Sequence, residues 1–355
     1  MKNYRFLPLF LLPALVFLVS CKTSYIVPIE IQKPGALVIP GKIDGVLIVN
    51  NAAPQPGDQI VTLKINQKNA DIKQTIETDS TLWIASILTS KIISDANFFE
   101  KTSLFQEALR NDNEWLAVKP LTENECDSLY KESESNVIIT IDRLVFEMQH
   151  AVVNTVNNTI FGPDGAFLYI KCRGLLSSSV YLKGRKTRLT SFNIQDSINI
   201  NTAMQGDSVK FFQVIPNIVV KELTNILVNK LASYFIPDWI LTERTIYTSS
   251  NSQMLKADKY FGKKDWENAR IIWEELFYRK EKNKDLDRAR MATNIGTAYE
   301  MEDNLVMAVY WVQKAINIYS TVENTDTEKQ IAVGYLQELN SRIQNNKILD
   351  MQYDE

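Results

Sequence analysis

Few side chains in this sequence have the types and spacing that nucleophilic, acid–base or metal chemistry requires. His150 is the single histidine in 355 residues, so a Ser-His-Asp or Cys-His arrangement would have to use it. Its surroundings, "FEMQHAVV", carry no nucleophile signature, and we expect a structural or surface role for it. One histidine and scattered cysteines do not give the ligand spacing of a zinc site, and no glycine-rich phosphate loop is present. The sequence therefore predicts a protein that is not an enzyme and holds no metal or cofactor.

Carboxylates and thiols are present, but their arrangement leaves alternatives open. Glu300, Glu302 and Asp303 lack the spacing of a calcium loop, and we expect them at the solvated end of a helix. Any two of the 42 acidic residues could still meet in space as a catalytic pair. Cys126 and Cys172 could pair in an oxidising periplasm or remain free thiols in the core. The net charge of −3 gives no electrostatic basis for binding nucleic acid.

The third cysteine, Cys21, ends a short apolar run. Lys2 and Arg5 precede this run, which spans about 14 residues, whereas a membrane-spanning helix needs about 20. A basic start, a short apolar stretch and a small-residue end are typical of a cleaved signal peptide. We therefore expect residues 1–20 to be removed, so that Cys21 begins the mature chain.

The tetrapeptide Leu18-Val19-Ser20-Cys21 resembles the bacterial lipobox, in which the cysteine is acylated. The resemblance implies a lipid thioether on Cys21 and acylation of the new amino terminus, and a thiolate is a suitable nucleophile for that chemistry. Acyl chains contribute about 0.8 kcal/mol per buried CH₂, so several chains would hold the protein to a membrane. Lys22 is not the aspartate that retains enterobacterial lipoproteins in the inner membrane, and "KTSYIV" lacks an acidic surface-export run. The expected location is therefore the outer membrane, facing the periplasm.

The first two thirds of the chain alternate strand and helix signals. Short β-rich runs punctuated by Pro and Gly predict extended segments within 22–60, and 136–153 is β-branched and partly alternating. Apolar residues at helical spacing predict a helix over about 80–101. Thr122 and Glu125 have the spacing of a capping box, which predicts a helix start there.

Turns and one long helix complete this region. Pro163-Asp164-Gly165 is typical of a tight turn, and strands should flank it. Helical spacing recurs over about 209–236, where Pro216 either begins or kinks the helix. Together these patterns predict an α+β domain with a largely antiparallel sheet over residues 21–247.

Two segments near the carboxyl end align with each other at a period of 39 residues. Their order of small residue, aromatic residue and alanine resembles the tetratricopeptide repeat, in which pairs of helices stack. The resemblance implies an all-α helical domain at 251–348, with 327–343 as a capping helix. A generic bundle of helical hairpins is the alternative. The aligned pairs are Ala257 with Gly296, Tyr260 with Tyr299, and Ala269 with Ala308.

In the tetratricopeptide scheme the first helix of each repeat lines an inner face. Seven residues fall on those positions: Met254, Asp258, Phe261, Arg290, Thr293, Thr297 and Glu300. Thr293 and Thr297 replace the cation and asparagine of the carboxylate-clamp subclass, so we expect no free C-terminal peptide as ligand. We expect a mixed apolar and polar partner surface with Met254 and Phe261 as anchors. The alternative is that these residues pack against the 209–236 helix.

Lipobox, strand-rich middle, long helix and repeat tail together resemble an uncharacterised family of Gram-negative lipoproteins. The shared residues are Pro237, Asp238, Trp239, Arg244, Tyr247, Trp266, Ala269, Trp273 and Leu276. The resemblance implies architecture and location but no activity. We expect an outer-membrane lipoprotein that contacts an unknown protein partner through its helical repeats. The alternative is a glycan-binding or glycan-processing lipoprotein with its site in the α/β domain.

Overall fold

The computed structural model describes residues 24–65, 68–154, 166–203, 208–279 and 284–353. Cys21 and the turn at Pro163-Asp164-Gly165 lie outside these residues. In chain order the elements are β1 (Ser24–Lys33), β2 (Val46–Asn50), β3 (Asp58–Ile65), β4 (Lys68–Thr75), α1 (Thr78–Asp95), β5 (Thr102–Leu104), α2 (Glu123–Ser133), β6 (Val137–Asn154), β7 (Ala166–Leu182), β8 (Thr190–Ala203), α3 (Ser208–Ala232), β9 (Asp238–Tyr247), α4 (Ser252–Gly262), α5 (Trp266–Tyr278), α6 (Asp285–Met301), α7 (Leu305–Tyr319) and α8 (Asp326–Tyr353).

The chain divides into two compact units, each assembled from separate stretches of sequence. The α/β unit comprises residues 32–238 and 346–353, and the helical unit comprises 24–31 and 239–345. The predicted fold class, a largely antiparallel α+β region followed by an all-α region, is confirmed. No helix among the described residues has the length and apolar character needed to cross a bilayer.

A five-stranded sheet organises the α/β unit, in the order β5-β2-β6-β7-β8. β2 runs parallel to β5 and β6, whereas β6, β7 and β8 are antiparallel neighbours. The pairing of β6 with β7 shifts between Ile141 and Arg143, so Asp142 sits in a β-bulge. β3 and β4 form a separate two-stranded antiparallel hairpin.

Alternation along β2 supplies two hydrophobic cores, one on each face of the sheet. Val46 and Ile48 belong to the larger core, which includes residues of α1 and α3. Leu47 and Val49 belong to a smaller core with Leu129 and Tyr130 of α2. All five residues of β2 are buried, as expected for a strand that is covered on both faces.

Local signals in this unit are mostly confirmed, with differences at element ends. Thr122 and Glu125 form the predicted capping box at the start of α2. The helix predicted over 80–101 is α1, which ends at Asp95 because Asn97 adopts a left-handed conformation with φ of 50°. Pro216 lies inside α3 rather than at its start.

The helical unit contains α4 to α7 and most of α8, together with the two-stranded sheet formed by β1 and β9. Its core includes Trp273, Ala308 and Val312, and small Gly296 allows α6 and α7 to approach closely. The sequence placed β1 and the 238–247 segment in the α/β domain. The structure groups them with the helices, because Tyr25, Val27 and Ile246 pack into the helical core.

Candidate functional site

The groove formed by the inward faces of α4 and α6 holds strand β9 and the residues that follow it. The seven predicted partner-binding residues lie on these two helices. Met254, Phe261, Thr293, Thr297 and Glu300 are buried, and Asp258 and Arg290 are half-buried. The groove is therefore not an open partner surface, and Met254 and Phe261, the predicted anchors, are residues of the helical core. Phe261 instead packs its ring 4.7 Å from that of Trp266 and 5.6 Å from that of Trp273.

Asn294 in the middle of α6 recognises the main chain of β9. Its Oδ1 accepts a hydrogen bond from the Tyr247 backbone N–H at 2.8 Å, and its Nδ2 donates to the Tyr247 carbonyl at 2.7 Å. Two bonds to one residue's main chain reproduce the pairing that a neighbouring strand would provide. Sequence reasoning missed Asn294. The available signal was an amide within the apolar stretch "MATNIGTAYE", where asparagine is unfavourable unless a specific partner satisfies it.

An ion pair between Arg244 of β9 and Glu300 of α6 is the most buried charged contact of the groove. Arg244 donates to the two Glu300 oxygens at 2.7 and 2.9 Å, and the two side chains are 3% and 0% exposed. The Tyr335 hydroxyl also donates to Glu300 at 2.7 Å, and Arg342 donates at 3.1 Å. Burial alone would lower the pKa of Arg244, but the hydrogen bonds and charge of Glu300 outweigh it and raise that pKa. For Tyr335, burial raises the pKa, and the charge of Glu300 adds to that effect.

These contacts correct the interpretation of the acidic cluster. Glu300 is not at a solvated helix end, because it accepts four hydrogen bonds from three side chains, one on β9 and two on α8. Glu302 accepts from Arg270 at 3.1 Å, and Asp303 from Arg342 at 3.2 Å. Within the described ranges, no set of three or more His, Cys, Asp or Glu side chains is placed to hold a metal ion.

The residues after β9 continue along the groove. The Thr248 hydroxyl donates to Asp258, and the Arg290 guanidinium lies 5.5 Å above the ring of Tyr247. Arg290 also pairs with Glu328 at 2.9 Å. Burial raises the pKa of Asp258, and the Thr248 hydrogen bond only partly opposes that shift. A cavity of about 200 Å³ remains between Tyr247, Asn251, Met254 and Arg290.

A second candidate site is an open groove of about 770 Å³ on the sheet of the α/β unit. Trp115 and Leu116 line one side of it. Its floor is a row across three strands, since Glu147 lies opposite Arg173 and Arg173 lies opposite Ser197. All three floor residues are exposed. An indole beside charged and hydroxyl groups offers both an apolar face and directional polar groups to a ligand.

The cysteines and the single histidine are the remaining residues that the sequence singled out. Cys126 and Cys172 are free, so the alternative of a disulfide is not realised. Burial raises the pKa of the Cys126 thiol to about 11 and that of the Cys172 thiol to about 12. His150 belongs to β6. Cys21, the predicted acylation site, lies outside the described residues.

The fold and the groove define a two-unit protein in which a helical unit holds a strand of its own chain. The chain belongs to the family of Domain of unknown function (DUF8603), which matches residues 43–247 and thus more than half of its length. Residues 255–341 match a second Domain of unknown function (DUF6340).

Comparison with known proteins adds no function. A solved structure of a neuraminyllactose-binding hemagglutinin homolog from Helicobacter pylori is similar at 11% sequence identity. The match covers 55% of this chain and 91% of that chain with a TM-score of 0.24, which is too low to support an argument. None of the curated proteins compared with the sequence matches it significantly.

Proposed function

We propose that this chain is a lipoprotein, anchored in the outer membrane through lipid on Cys21 and facing the periplasm, that contacts a protein partner through its helical repeats. The role is one of binding and assembly, without catalysis. Because β9 fills the groove, the partner surface is placed on the outward faces of α5 and α7. The observation that carries the proposal is a pair of exposed tyrosines, Tyr278 and Tyr310, on either side of Lys314.

Large apolar side chains stand exposed along both helices. On α5, Ile271 is 41% exposed and Tyr278 61%, and on α7, Val306 is 72% exposed and Tyr310 52%. Residues spaced by four or seven lie on one face of a helix, so each pair forms part of a stripe. The buried Trp311 ring lies beneath both stripes, 6.2 Å from the ring of Tyr278 and 5.7 Å from that of Tyr310, so these two exposed tyrosines flank the same indole. Grouped apolar exposure of this kind is typical of an interaction site.

Lys314 gives this surface a charge. Its ammonium nitrogen lies within 4.6 to 5.4 Å of four ring centroids, those of Phe277, Tyr278, Tyr310 and Trp311. Among the described residues, no carboxylate is within ion-pair distance of it. Cation–π contacts hold the ammonium in place without neutralising it. The surface therefore suits a partner segment that presents apolar side chains beside a carboxylate, since tyrosine and tryptophan carry much of the energy of such contacts.

Site-specific photo-crosslinking in cells tests this surface. A photoreactive amino acid in place of Tyr310 should trap one defined protein, whereas the same group in place of Leu116 in the α/β unit should not. Adding Lys314→Glu should abolish the Tyr310 crosslink while the melting temperature stays within a few degrees of the parent. Equal crosslinking from both positions, or from the Lys314→Glu form, would remove the surface from consideration.

Anchoring has a separate test. Mass spectrometry of the mature protein should find acyl groups on Cys21, and Cys21→Ser should leave the protein unprocessed and without lipid. Protease added to intact cells should spare the anchored protein. Acylated Cys21→Ser protein, or rapid degradation in intact cells, would contradict the anchor or its orientation respectively.

The α/β unit supports a second candidate function, the binding of a glycan in its sheet groove. The supporting observation is the position of Trp115 beside the Glu147–Arg173–Ser197 row. Soluble peptidoglycan fragments and neutral oligosaccharides, titrated against intrinsic fluorescence, should give a saturable change that Trp115→Ala removes. The variant Trp239→Phe serves as a control, because that indole belongs to the helical unit. No change with any of these sugars would argue against this candidate.

A further inference from the structure

The two faces of the β1–β9 sheet differ in character. Arg244 and Ile246 of β9 are buried, as are Ile29 and Ile31 of β1. Trp239, Leu241 and Ile26 lie on the opposite face by strand alternation and are 62%, 68% and 61% exposed. Three large apolar side chains therefore face outward from a sheet of only two strands. We call the face defined by Ile26, Pro28, Glu30, Trp239, Leu241 and Glu243 the outer ribbon face.

The position of β1 in the chain limits how far this face can be from the acylation site. β1 begins at Ser24, three residues after Cys21. Three fully extended residues span at most about 11 Å. Lipid on Cys21 would therefore hold the start of β1 within about 11 Å of the bilayer, whatever path residues 22 and 23 take.

We propose that the outer ribbon face rests on the lipid bilayer, with Trp239, Leu241 and Ile26 in the interfacial layer. This inference rests on the proposed lipid anchor at Cys21. Tryptophan is enriched at membrane interfaces, because its ring is apolar and its N–H can bond to water or headgroups. The leucine and isoleucine side chains beside it would be buried at the boundary between headgroups and acyl chains. The anchor supplies proximity, and the ribbon fixes how the helical unit meets the membrane.

Charge on the same face indicates which lipids suit it. Of the six residues that define the outer ribbon face, Glu30 and Glu243 are charged, and both are exposed. Carboxylates are repelled by the negative surface potential of anionic lipids. The outer ribbon face is therefore expected to settle on zwitterionic phosphatidylcholine or phosphatidylethanolamine and to be displaced as anionic lipid is added. A basic membrane-binding patch would show the reverse dependence.

Fluorescence quenching by brominated lipid measures the contact directly. The mature chain is coupled through Cys21 to a maleimide phospholipid in phosphatidylcholine vesicles, with and without dibrominated phosphatidylcholine. Cys172 is buried and Cys126 is half-buried, and burial raises the pKa of both thiols, so they react more slowly than an exposed cysteine. The loss of fluorescence should not exceed the contribution of one of the six tryptophans. Trp239→Phe should abolish it, whereas Trp115→Phe should leave it unchanged.

Further variants separate a membrane contact from a folding defect. Leu241→Ser and Ile26→Ser should each weaken the quenching of Trp239 without changing the circular dichroism spectrum, because these side chains are exposed. Absence of quenching in the parent, or quenching that survives Trp239→Phe, would overturn the proposal. Synthetic coupling supplies the tether, so the outcome is independent of whether cells acylate Cys21. Mass spectrometry of the cellular protein decides that separate question.

Discussion

The two units each bury a carboxyl group beside a strand, but they satisfy it in opposite ways. Glu300 in the helical unit meets two arginines and a tyrosine hydroxyl. Asp142 in the α/β unit accepts from neutral donors, the Asn51 amide at 2.7 Å and the Ser179 hydroxyl at 2.6 Å. No Lys or Arg among the described residues forms an ion pair with Asp142. Charged contacts thus hold β9 against α6 in the helical unit, whereas neutral hydrogen bonds hold a β-bulge in the α/β sheet.

The difference teaches what each buried group contributes. Arg244 and Glu300 are 56 residues apart, and their contact decides whether β9 occupies the groove. Asp142 is held by its sheet neighbour Ser179 and by Asn51 in the loop after β2, so it fixes the geometry of the bulge in β6. A charge pair that is broken leaves an uncompensated buried charge, which costs more than an unpaired neutral donor.

The largest effect is expected from Arg244→Ala. Removing one partner of this buried pair should lower the free energy of unfolding by about 3–5 kcal/mol, because Glu300 stays buried without its bidentate donor. Urea unfolding followed by circular dichroism measures the loss. Arg270→Ala, which removes a more exposed pair with Glu302, is the matched control and should cost about 1 kcal/mol or less. Equal losses for the two variants would remove the distinction between the buried and the exposed pair.

Asp142→Ala should have the next largest effect. The substitution leaves the Asn51 and Ser179 donors without an acceptor in a buried site, which should lower the free energy of unfolding by about 1–3 kcal/mol. Asp142→Asn keeps one acceptor oxygen and should cost less. Urea unfolding of both variants gives the comparison, and an alanine variant as stable as the parent would show that water or rearrangement satisfies the donors.

A pair of glycines sharpens the contrast between the units by packing alone. A Cβ on Gly296 would lie 2.7 Å from Val312 Cγ2 and 3.2 Å from the Ala308 carbonyl oxygen, and valine has few rotamers with which to move. Gly296→Ala should therefore cost about 1–3 kcal/mol of overpacking, partly offset by about 1 kcal/mol of helix propensity.

The matched substitution is Gly174→Ala, where the new Cβ meets the flexible tips of Leu227 at 2.8 Å and Leu223 at 3.0 Å. It should cost less than Gly296→Ala. The double variant Gly296→Ala/Val312→Ala should recover part of the loss in thermal unfolding. If shortening Val312 gives no recovery, the close approach of α6 and α7 is not what limits residue 296.

The smallest effect is a pH dependence at Asp258. Burial raises the pKa of this carboxyl in the folded state above its ordinary value of 3.8, so its contribution to stability is present below that value and lost as the pH rises through the folded pKa. Asp258→Asn should therefore be slightly more stable than the parent at pH 7 and equally stable near pH 3. Melting temperatures at both pH values decide, and a destabilised Asn variant at pH 7 would reverse the sign.

Local signals in the sequence predicted much of the α/β unit, while the groove depended on contacts that no local pattern contains. The capping box at Thr122 and the strand that became β6 are readable because neighbouring residues decide them. β9 was missed because Arg244 occupies an inward position, which breaks the apolar alternation of a strand. Glu300 and Glu338, both far along the chain, make a buried arginine acceptable there. The seven predicted partner-binding residues lie on α4 and α6, where they meet a strand of the same chain whose position depends on long-range pairing.

The pairing of β1 with β9 also affects the order in which the parts of the chain fold. β1 ends at Lys33 and β9 begins at Asp238, so β1 can pair with β9 only after some two hundred further residues have been synthesised. Closing a loop of that length is slow, and long-range strand pairing is a late event in folding. Until then β1 is an apolar segment with two unpaired edges, which is open to aggregation. The helical unit is therefore complete only when β1 has paired with β9.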